Sequence, residues 1–451
     1  MTTDVDLIVL GSGSAAQSVA YPCRASGWSV AVIDSSPFGG TCATRGCDPK
    51  KVLVGVSELT DWARRMQGNG LAGPAPSLVW ADMIKFERGF VGGVPAATED
   101  GFRAAGIRAI HGRAHFVAAT TLEVGDETLV GRHVVIATGA RHAPLGIPGE
   151  EHLTTSTAFL KLTALPQRVA FVGGGYIAFE FAHVAVRAGA KVQVFHRGAR
   201  PLEGFDADLV AQLLGATREL GVDVQLRTTV TAVERRGNAF IVHVRTGDDE
   251  TNEVEVDLVV HAAGRIPEID DLGLDKAGIE RVRSGIAVND HLQSVSNPAV
   301  YAAGDAVASG GFPLTPVAGM QGGIVATNLL EGNTRTPNYE GIPSVVFTTP
   351  PLARVGLDEA TARERGHKFT VHHEDTSGWY SSKRVALSHT GFKTLVEEGS
   401  ERVLGAHLLG LHAEEVINMF GMAIRFGVSA SKLKDMTYAY PTSASDIGSM
   451  L

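Results

Sequence analysis

Cys42 and Cys47 stand in the run GTCATRGCDPKK with four residues between them, and a thiol pair at that spacing can carry two electrons as a dithiol and disulfide. A disulfide needs alpha carbons roughly 4.4 to 6.8 Å apart, and positions five apart on a regular helix point away from each other. Pairing therefore requires irregular backbone between them. Pro49 suits the first turn of a helix, which would set Cys47 at a helix N-terminus, where partial positive charge favours a thiolate. CxxxxC alone also fits two unlinked core cysteines. Its setting favours redox chemistry, because the pair follows a nucleotide-binding pattern in a chain with one other cysteine, Cys23.

Residues 4–34 read as strand, glycine turn, helix and strand. VDLIVL is a short apolar run, Gly11, Gly13 and the Ala15 and Ala16 pair fall in the turn, and SVAVID ends at Asp34. Glycines let the backbone approach a pyrophosphate, the helix N-terminus stabilises its charge, and an acid about 20 residues on accepts ribose hydroxyls. Pro22 inside the expected helix is unusual. A variable stretch runs to about residue 130, then VVIATGA reads as a buried strand closing on a glycine turn, and PLGIPG as a linker. A second unit follows, with Gly173, Gly175 and Ala178 repeating the fingerprint. Asp34 lies 23 residues after Gly11, and the residue 23 after Gly173 is His196, followed by Arg197 and Arg200. A carboxylate there would repel a 2′-phosphate, whereas guanidinium groups pair with it, so NADPH is expected over NADH. Asp305 follows a strand and a glycine, where a carboxylate can reach a ribityl or ribose hydroxyl. From about residue 343 come alternating strands and an amphipathic helix around Glu414 to Phe426.

The composition agrees with a glycine-rich globular enzyme: 451 residues, 44% hydrophobic, 20% charged, 53 glycines. A net charge of −9 without a basic patch argues against nucleic-acid binding. Three cysteines do not make a secreted disulfide framework, the start lacks a basic leader region, and no run approaches the eighteen or so apolar residues of a membrane helix. A cytoplasmic location and no membrane partner are inferred.

Two dinucleotide units with GGTCxxxGCxPxK between them, then ATG, GRxP, AGD and LTPVA in that order, resemble the FAD-dependent pyridine nucleotide disulfide oxidoreductases, with wording closest to glutathione reductase. The resemblance spans essentially the whole chain. It implies an α/β chain with two Rossmann-like dinucleotide-binding domains and a C-terminal α+β dimerisation domain: an FAD-binding part over 1–148, an NADPH domain over 149–265, a second FAD or central part over 266–340 and the dimerisation domain over 341–451. FAD would lie on Gly11, Gly13, Ser14, Asp34, Thr41, Thr138, Gly139 and Asp305. NADPH would lie on Gly173, Gly175, Ile177, Arg197 and Arg200, with Arg265 near, and Tyr176 would shield the flavin until nicotinamide enters. The resemblance further implies hydride transfer to flavin, then reduction of a Cys42–Cys47 disulfide, with Cys47 the thiolate beside the flavin and Cys42 facing a small-molecule oxidant. One of Lys50 or Lys51 would pair with Glu180, and a C2 homodimer is expected, with the helix face Val416, Met419, Phe420, Ala423 and Ile424 readable equally as a contact or as core.

The chain departs from the family's HPTxxE tail. Here Tyr440 precedes Pro441 and Thr442, and no histidine follows His412. A phenol near pKa 10 is a poorer proton shuttle at neutral pH than an imidazole near 6.5. Positions where glutathione reductases carry arginines for the tripeptide are Tyr21 and Gly323. The expectation is a NADPH-dependent reductase of a disulfide other than glutathione disulfide. The alternatives are reduction of a soft metal ion or quinone, as the tyrosine tail of mercuric reductase suggests although this chain lacks that enzyme's C-terminal cysteine pair, and a redox-sensing flavoprotein with little turnover. No dedicated metal site is expected.

Overall fold

The computed structural model describes residues 2–247 and 250–451. The chain divides into two compact units, Met1–Lys50 with Phe86–Ala143 and Gly264–Tyr339, and Lys51–Lys85 with Pro144–Ala263 and Glu340–Leu451.

In the first unit, LIVL, VAVI and VVI are unbroken apolar runs, the pattern of strands covered on both faces. They form the middle of a seven-stranded sheet. Arg108–His111, Val30–Asp34, Thr2–Leu10 and Glu127–Ile136 run parallel across it, Thr121–Val124 and Ala114–Ala118 continue antiparallel, and Val300–Ala302 pairs with the end of Glu127–Ile136. The helix Ser14–Ala25 follows Gly13 directly, so Ala15 and Ala16, expected in the turn, are helical and buried. Small residues there let Thr315–Glu331 approach at backbone distance: a Cβ on Gly322 would stand 2.4 Å from the Ala15 carbonyl oxygen. Pro22 does lie inside the helix, and nothing in the structure explains it. The variable stretch forms the helices Trp80–Val91 and Val94–Ala104 and the short antiparallel strands.

In the second unit, Val222–Leu226, Lys191–His196, Arg168–Val172 and Leu258–His261 make a four-stranded parallel sheet with the helix Tyr176–Arg187 after its first βα turn. A three-stranded antiparallel sheet, Thr228–Arg236, Ala239–Thr246 and Glu250–Val256, belongs to the same unit. Its C-terminal part is a five-stranded antiparallel sheet, Ser344–Val346, Leu352–Gly356, Val403–Leu409, Gly391–Glu397 and Phe369–Asp375, backed by Ala413–Phe426. The expected architecture, two dinucleotide-type sheets and a C-terminal α+β segment, is present.

The structure decides between the two readings of the apolar face of that last helix. Val416, Phe420 and Ala423 are buried and Ile424 packs with them against Ala353, Val355 and Leu408, so this face is core. The outward side exposes Met419, Met422 and Phe426 at 37%, 60% and 73%. The helix carries two apolar stripes, and periodicity alone does not say which one meets the sheet. Among the described residues no helix is long and apolar enough to cross a membrane.

A buried ionic knot ties Cys47–Arg65 to Tyr176–Arg187 within the second unit. The Arg187 side chain is 2% exposed and donates to Asp61 Oδ1 at 2.8 Å, while Arg65 Nε reaches Asp61 Oδ2 at 2.8 Å. Burial, reinforced by Arg187, holds His183 well below the ordinary histidine range, and the neutral ring accepts from the Thr349 backbone N–H. Asp61→Ala leaves the Arg187 charge buried without its partner and should cost about 3–5 kcal/mol of unfolding free energy. The urea midpoint reads this, and a midpoint equal to wild type would refute it.

Candidate active site

The cysteine run folds as two helices, Gly40–Arg45 and Cys47–Arg65, broken at Gly46. A Cβ on Gly46 would stand 2.9 Å from the Thr41 carbonyl oxygen, so only glycine lets the two helix ends close this tightly. The break is the irregularity that pairing needs. It makes Cys47 the first residue of the second helix, with Pro49 in its first turn. Both cysteines are reduced here; each acts on the other's proton through a side-chain hydrogen bond, and the Cys42 thiol also donates to Asp48 Oδ1 at 3.9 Å. The bond from Cys42 is the main cause that lowers Cys47 to about 6, and the Thr315 hydroxyl, 3.6 Å from its sulfur, and the Lys50 cation act in the same direction. That same bond, with burial, pushes Cys42 upward. One sulfur is thus held as a thiolate and the other as its proton donor.

The loops leading to this pair are built on close backbone approaches. Gly11 has φ +106, and a Cβ there would lie 2.3 Å from the Ala137 carbonyl oxygen. Gly40 has φ +76, and its Cβ would lie 2.4 Å from Gly13 Cα, so the glycine before Thr41 and Cys42 sits directly on the fingerprint loop. Asp34 locks this arrangement. Its Oδ2 accepts from the Ser12 N–H at 2.9 Å and the Ser12 hydroxyl at 2.6 Å, and the Ser12 oxygen accepts from the Gly39 N–H at 3.0 Å. With Ser36 N–H on Oδ1 at 2.8 Å, three of the roughly four acceptor positions of the carboxylate are used, leaving one for a ribose hydroxyl. Ser14 opens the helix whose N-terminus faces the turn. Thr138 Oγ1 and Arg265 Nε are buried without a protein partner among the described residues, and Asp305 is raised by burial, opposed by Arg265. Two orphaned polar atoms beside Gly139 and a glycine cradle are what a bound dinucleotide such as FAD would satisfy and fill.

In the second unit the same contact recurs. Gly173 has φ +116, and a Cβ there would lie 2.3 Å from the Ala262 carbonyl oxygen, while Gly175 caps Tyr176–Arg187, whose first residues are the half-exposed Tyr176 and Ile177. His196 packs against Gly174 and donates from Nε2 to the Arg200 carbonyl oxygen at 2.9 Å. The structure gives the three arginines different surroundings. Arg200 donates to the carbonyls of Phe205 at 2.7 Å and Glu203 at 3.1 Å, so its fork holds its own loop. Arg197 is exposed. Arg265, expected near NADPH, belongs to the first unit, in Arg265–Pro267 paired with Ala140–His142, and donates to the Ala140 carbonyl.

Of the two lysines, Lys51 lies 3.3 Å from Glu58 and over the Phe347 ring at 4.5 Å, so it is not the partner expected for Glu180. Lys50 is buried, as is Glu180, whose Oε1 accepts from the Phe347 N–H at 2.8 Å. Tyr440 is 82% exposed on the tail. Three residues of the site escaped the sequence reading. Ser12 lies inside the fingerprint, Asp48 stands beside Cys47, and Thr315 falls within the LTPVA motif before a proline that marks a helix start, but none of the three carries a signal of its role.

Alkylation of the reduced holoprotein, mapped to Cys47 by mass spectrometry, should rise with pH through a midpoint near 6, because the thiolate is the nucleophile and forms as the proton leaves. Thr315→Val removes a donor to that thiolate and should move the midpoint up by roughly one unit. A wild-type midpoint above 8 would contradict the assignment.

A family model described as pyridine nucleotide-disulphide oxidoreductase matches residues 5–322, and the dimerisation-domain model of the same family matches residues 342–451. The glutathione reductase of Burkholderia cepacia is 33% identical over 447 residues, covering 98% of this chain and 97% of the relative. The mercuric reductase of Staphylococcus aureus is 32% identical over 453 residues, covering 98% and 81%. Among solved structures, the HOCl-induced flavoprotein disulfide reductase RclA from Escherichia coli, in its Cu(II) complex, matches with a TM-score of 0.88 at 27% identity over 99% of both chains. The enzyme class and the cofactors expected from the sequence, FAD and NADPH, are those of this family. The chain belongs to the pyridine nucleotide-disulphide oxidoreductases.

Proposed function

We propose that this enzyme uses NADPH to reduce a disulfide other than glutathione disulfide through Cys42 and Cys47. The observation that carries the reading is the hydrogen-bonded pair with its split protonation, a thiolate at Cys47 and a thiol at Cys42. The glycine turn at Gly11 and Gly13 with Ser14, Asp34, Thr41, Thr138, Gly139 and Asp305 would hold FAD, which would supply redox exchange between a hydride donor and the sulfur pair. Gly173, Gly175, Tyr176, Ile177 and Arg197 would hold NADPH.

The chemistry of the sulfurs then follows. Cys42 passes its proton along the hydrogen bond to Cys47 and attacks one substrate sulfur; the substrate S–S bond breaks and a mixed disulfide forms. The departing thiolate takes the proton from Cys47. Cys47 then attacks the Cys42 sulfur, closing the protein disulfide and releasing the second thiolate, so two electrons leave the pair and the proton is conserved. In this scheme Cys47 does the proton work that a tail histidine does elsewhere, which accommodates Tyr440.

Against glutathione disulfide stand two positions. Tyr21 is packed on Phe102 with ring centroids 5.3 Å apart, and Gly323 leaves open space where a Cβ would meet nothing within 4 Å. Neither position offers a cation to a carboxylate. A second reading, reduction of a metal ion that thiolates can bind, is supported by the exposed Cys47 and by the likeness to RclA, one of whose structures is a Cu(II) complex. Among the described residues no group of three or more His, Cys, Asp or Glu is placed to hold a metal, so such an ion would be a substrate on the sulfurs. The dimerisation-domain match and the exposed Met419, Met422 and Phe426 support a homodimer.

Steady-state NADPH oxidation with hydroxyethyl disulfide, glutathione disulfide, Cu(II), Hg(II) and a quinone tests the proposal. The neutral disulfide should turn over, Cys42→Ser should abolish that turnover, and glutathione disulfide should have kcat/KM about 10- to 100-fold lower for want of its orienting cations. Equal efficiency with the two disulfides would overturn the exclusion. Disulfide turnover that appears only in Tyr440→His, with metal reduction in wild type, would favour the second reading, and flavin reduction without turnover on any acceptor would indicate a sensor.

A further inference from the structure

We propose that Asp48 selects the charge of the oxidant, so that the site takes neutral or cationic acceptors and turns away anionic ones. The inference rests on the reading of Cys42 as the substrate-facing sulfur. Asp48 is the second residue of the helix Cys47–Arg65 and is exposed, with Oδ1 3.9 Å from the Cys42 sulfur. An acid in a first helical turn is commonplace as a complement to the helix dipole. This one also lies against the attacking sulfur. The charges acting on Cys42 are those of Cys47 and Asp48, both negative, and Asp48 disfavours the thiolate at both cysteines, whereas the cation of Lys50 acts on Cys47 and is buried. An oxidant reaching Cys42 therefore meets an exposed carboxylate beside the sulfur it must touch.

The field of that carboxylate acts differently on the two ends of a charge series. An anionic group on the oxidant is repelled as the sulfurs close, a cationic group is attracted, and a neutral one is indifferent. Asp48 also lowers thiolate content, but that effect is the same for every oxidant. The ratio of rates between a cationic and an anionic disulfide isolates the selection from the general reactivity of the pair.

Reduced holoenzyme is mixed in a stopped-flow instrument with cystamine (cationic), hydroxyethyl disulfide (neutral) or dithiodipropionate (anionic), and the second-order rate of thiol-disulfide exchange is measured at low and high salt. This readout needs no turnover with NADPH. Wild type should favour cystamine over dithiodipropionate by at least about tenfold at low salt, with the gap shrinking as salt screens it. Asp48→Asn should bring the ratio close to one, with dithiodipropionate gaining most because its repulsion is removed while cystamine loses its attraction, and Asp48→Lys should invert it, each with an unchanged flavin spectrum as the check of folding. A cationic-to-anionic ratio that Asp48→Asn leaves at the wild-type value overturns the inference. Exchange that survives in Cys42→Ser and is lost in Cys47→Ser would instead strike the assignment of Cys42 as the attacking sulfur, which separates the two failures.

Discussion

Two sulfurs five positions apart can share a proton only where the helix between them is interrupted, and the interruption has to be tight enough to leave the second sulfur on a fresh helix N-terminus. Gly46 meets both demands through its 2.9 Å approach to the Thr41 carbonyl. From that break follow the mutual hydrogen bond, the low pKa of Cys47 and the high one of Cys42. The rest of the first unit is arranged to hold the break in place. Asp34 grips Ser12, Ser12 grips Gly39, and Gly40 rests on Gly13, so the nucleotide turn and the redox turn are one piece of backbone.

In the proposed reading the pair itself does the proton work, in a chain that carries Tyr440 at the tail position. A proton shuttle must have a pKa near the working pH and lie in contact with the group it serves. Cys47, at about 6 and bonded to Cys42, meets that description from within the pair. Thr315 contributes from a different helix, and its hydroxyl is placed by the proline after it, which starts that helix immediately.

Much of the fold was legible because local patterns and global topology agree. The runs LIVL and VAVI, the glycines at a repeated interval and the terminal acid or histidine all reflect contacts within a βαβ unit of some thirty residues, where sequence neighbours are spatial neighbours. Legibility failed where a side chain's partner is remote or where two solutions share one pattern. Arg200 and Arg197 look alike in sequence, yet one is consumed by the Phe205 and Glu203 carbonyls of its own loop. Lys50 and Lys51 are adjacent, yet only the latter turns to Glu58 and Phe347. The helix Ala413–Phe426 carries apolar residues on two sides, and only the sheet packed against it picks Val416, Phe420 and Ala423 as the core.

The amino-acid sequence by itself determined the family, the two nucleotide units, the cysteine pair and the loss of the tail histidine, since each is written in residue type and spacing over short stretches. Only the tertiary structure decided which sulfur holds the charge, that Arg265 belongs with Asp305 in the first unit, and that Asp34 spends most of its acceptors on Ser12 and Ser36. Those outcomes depend on distances of a few ångströms between residues as far apart as Cys47 and Thr315. Hydrogen bonds and charge interactions fall off over such distances, so only the folded backbone sets them.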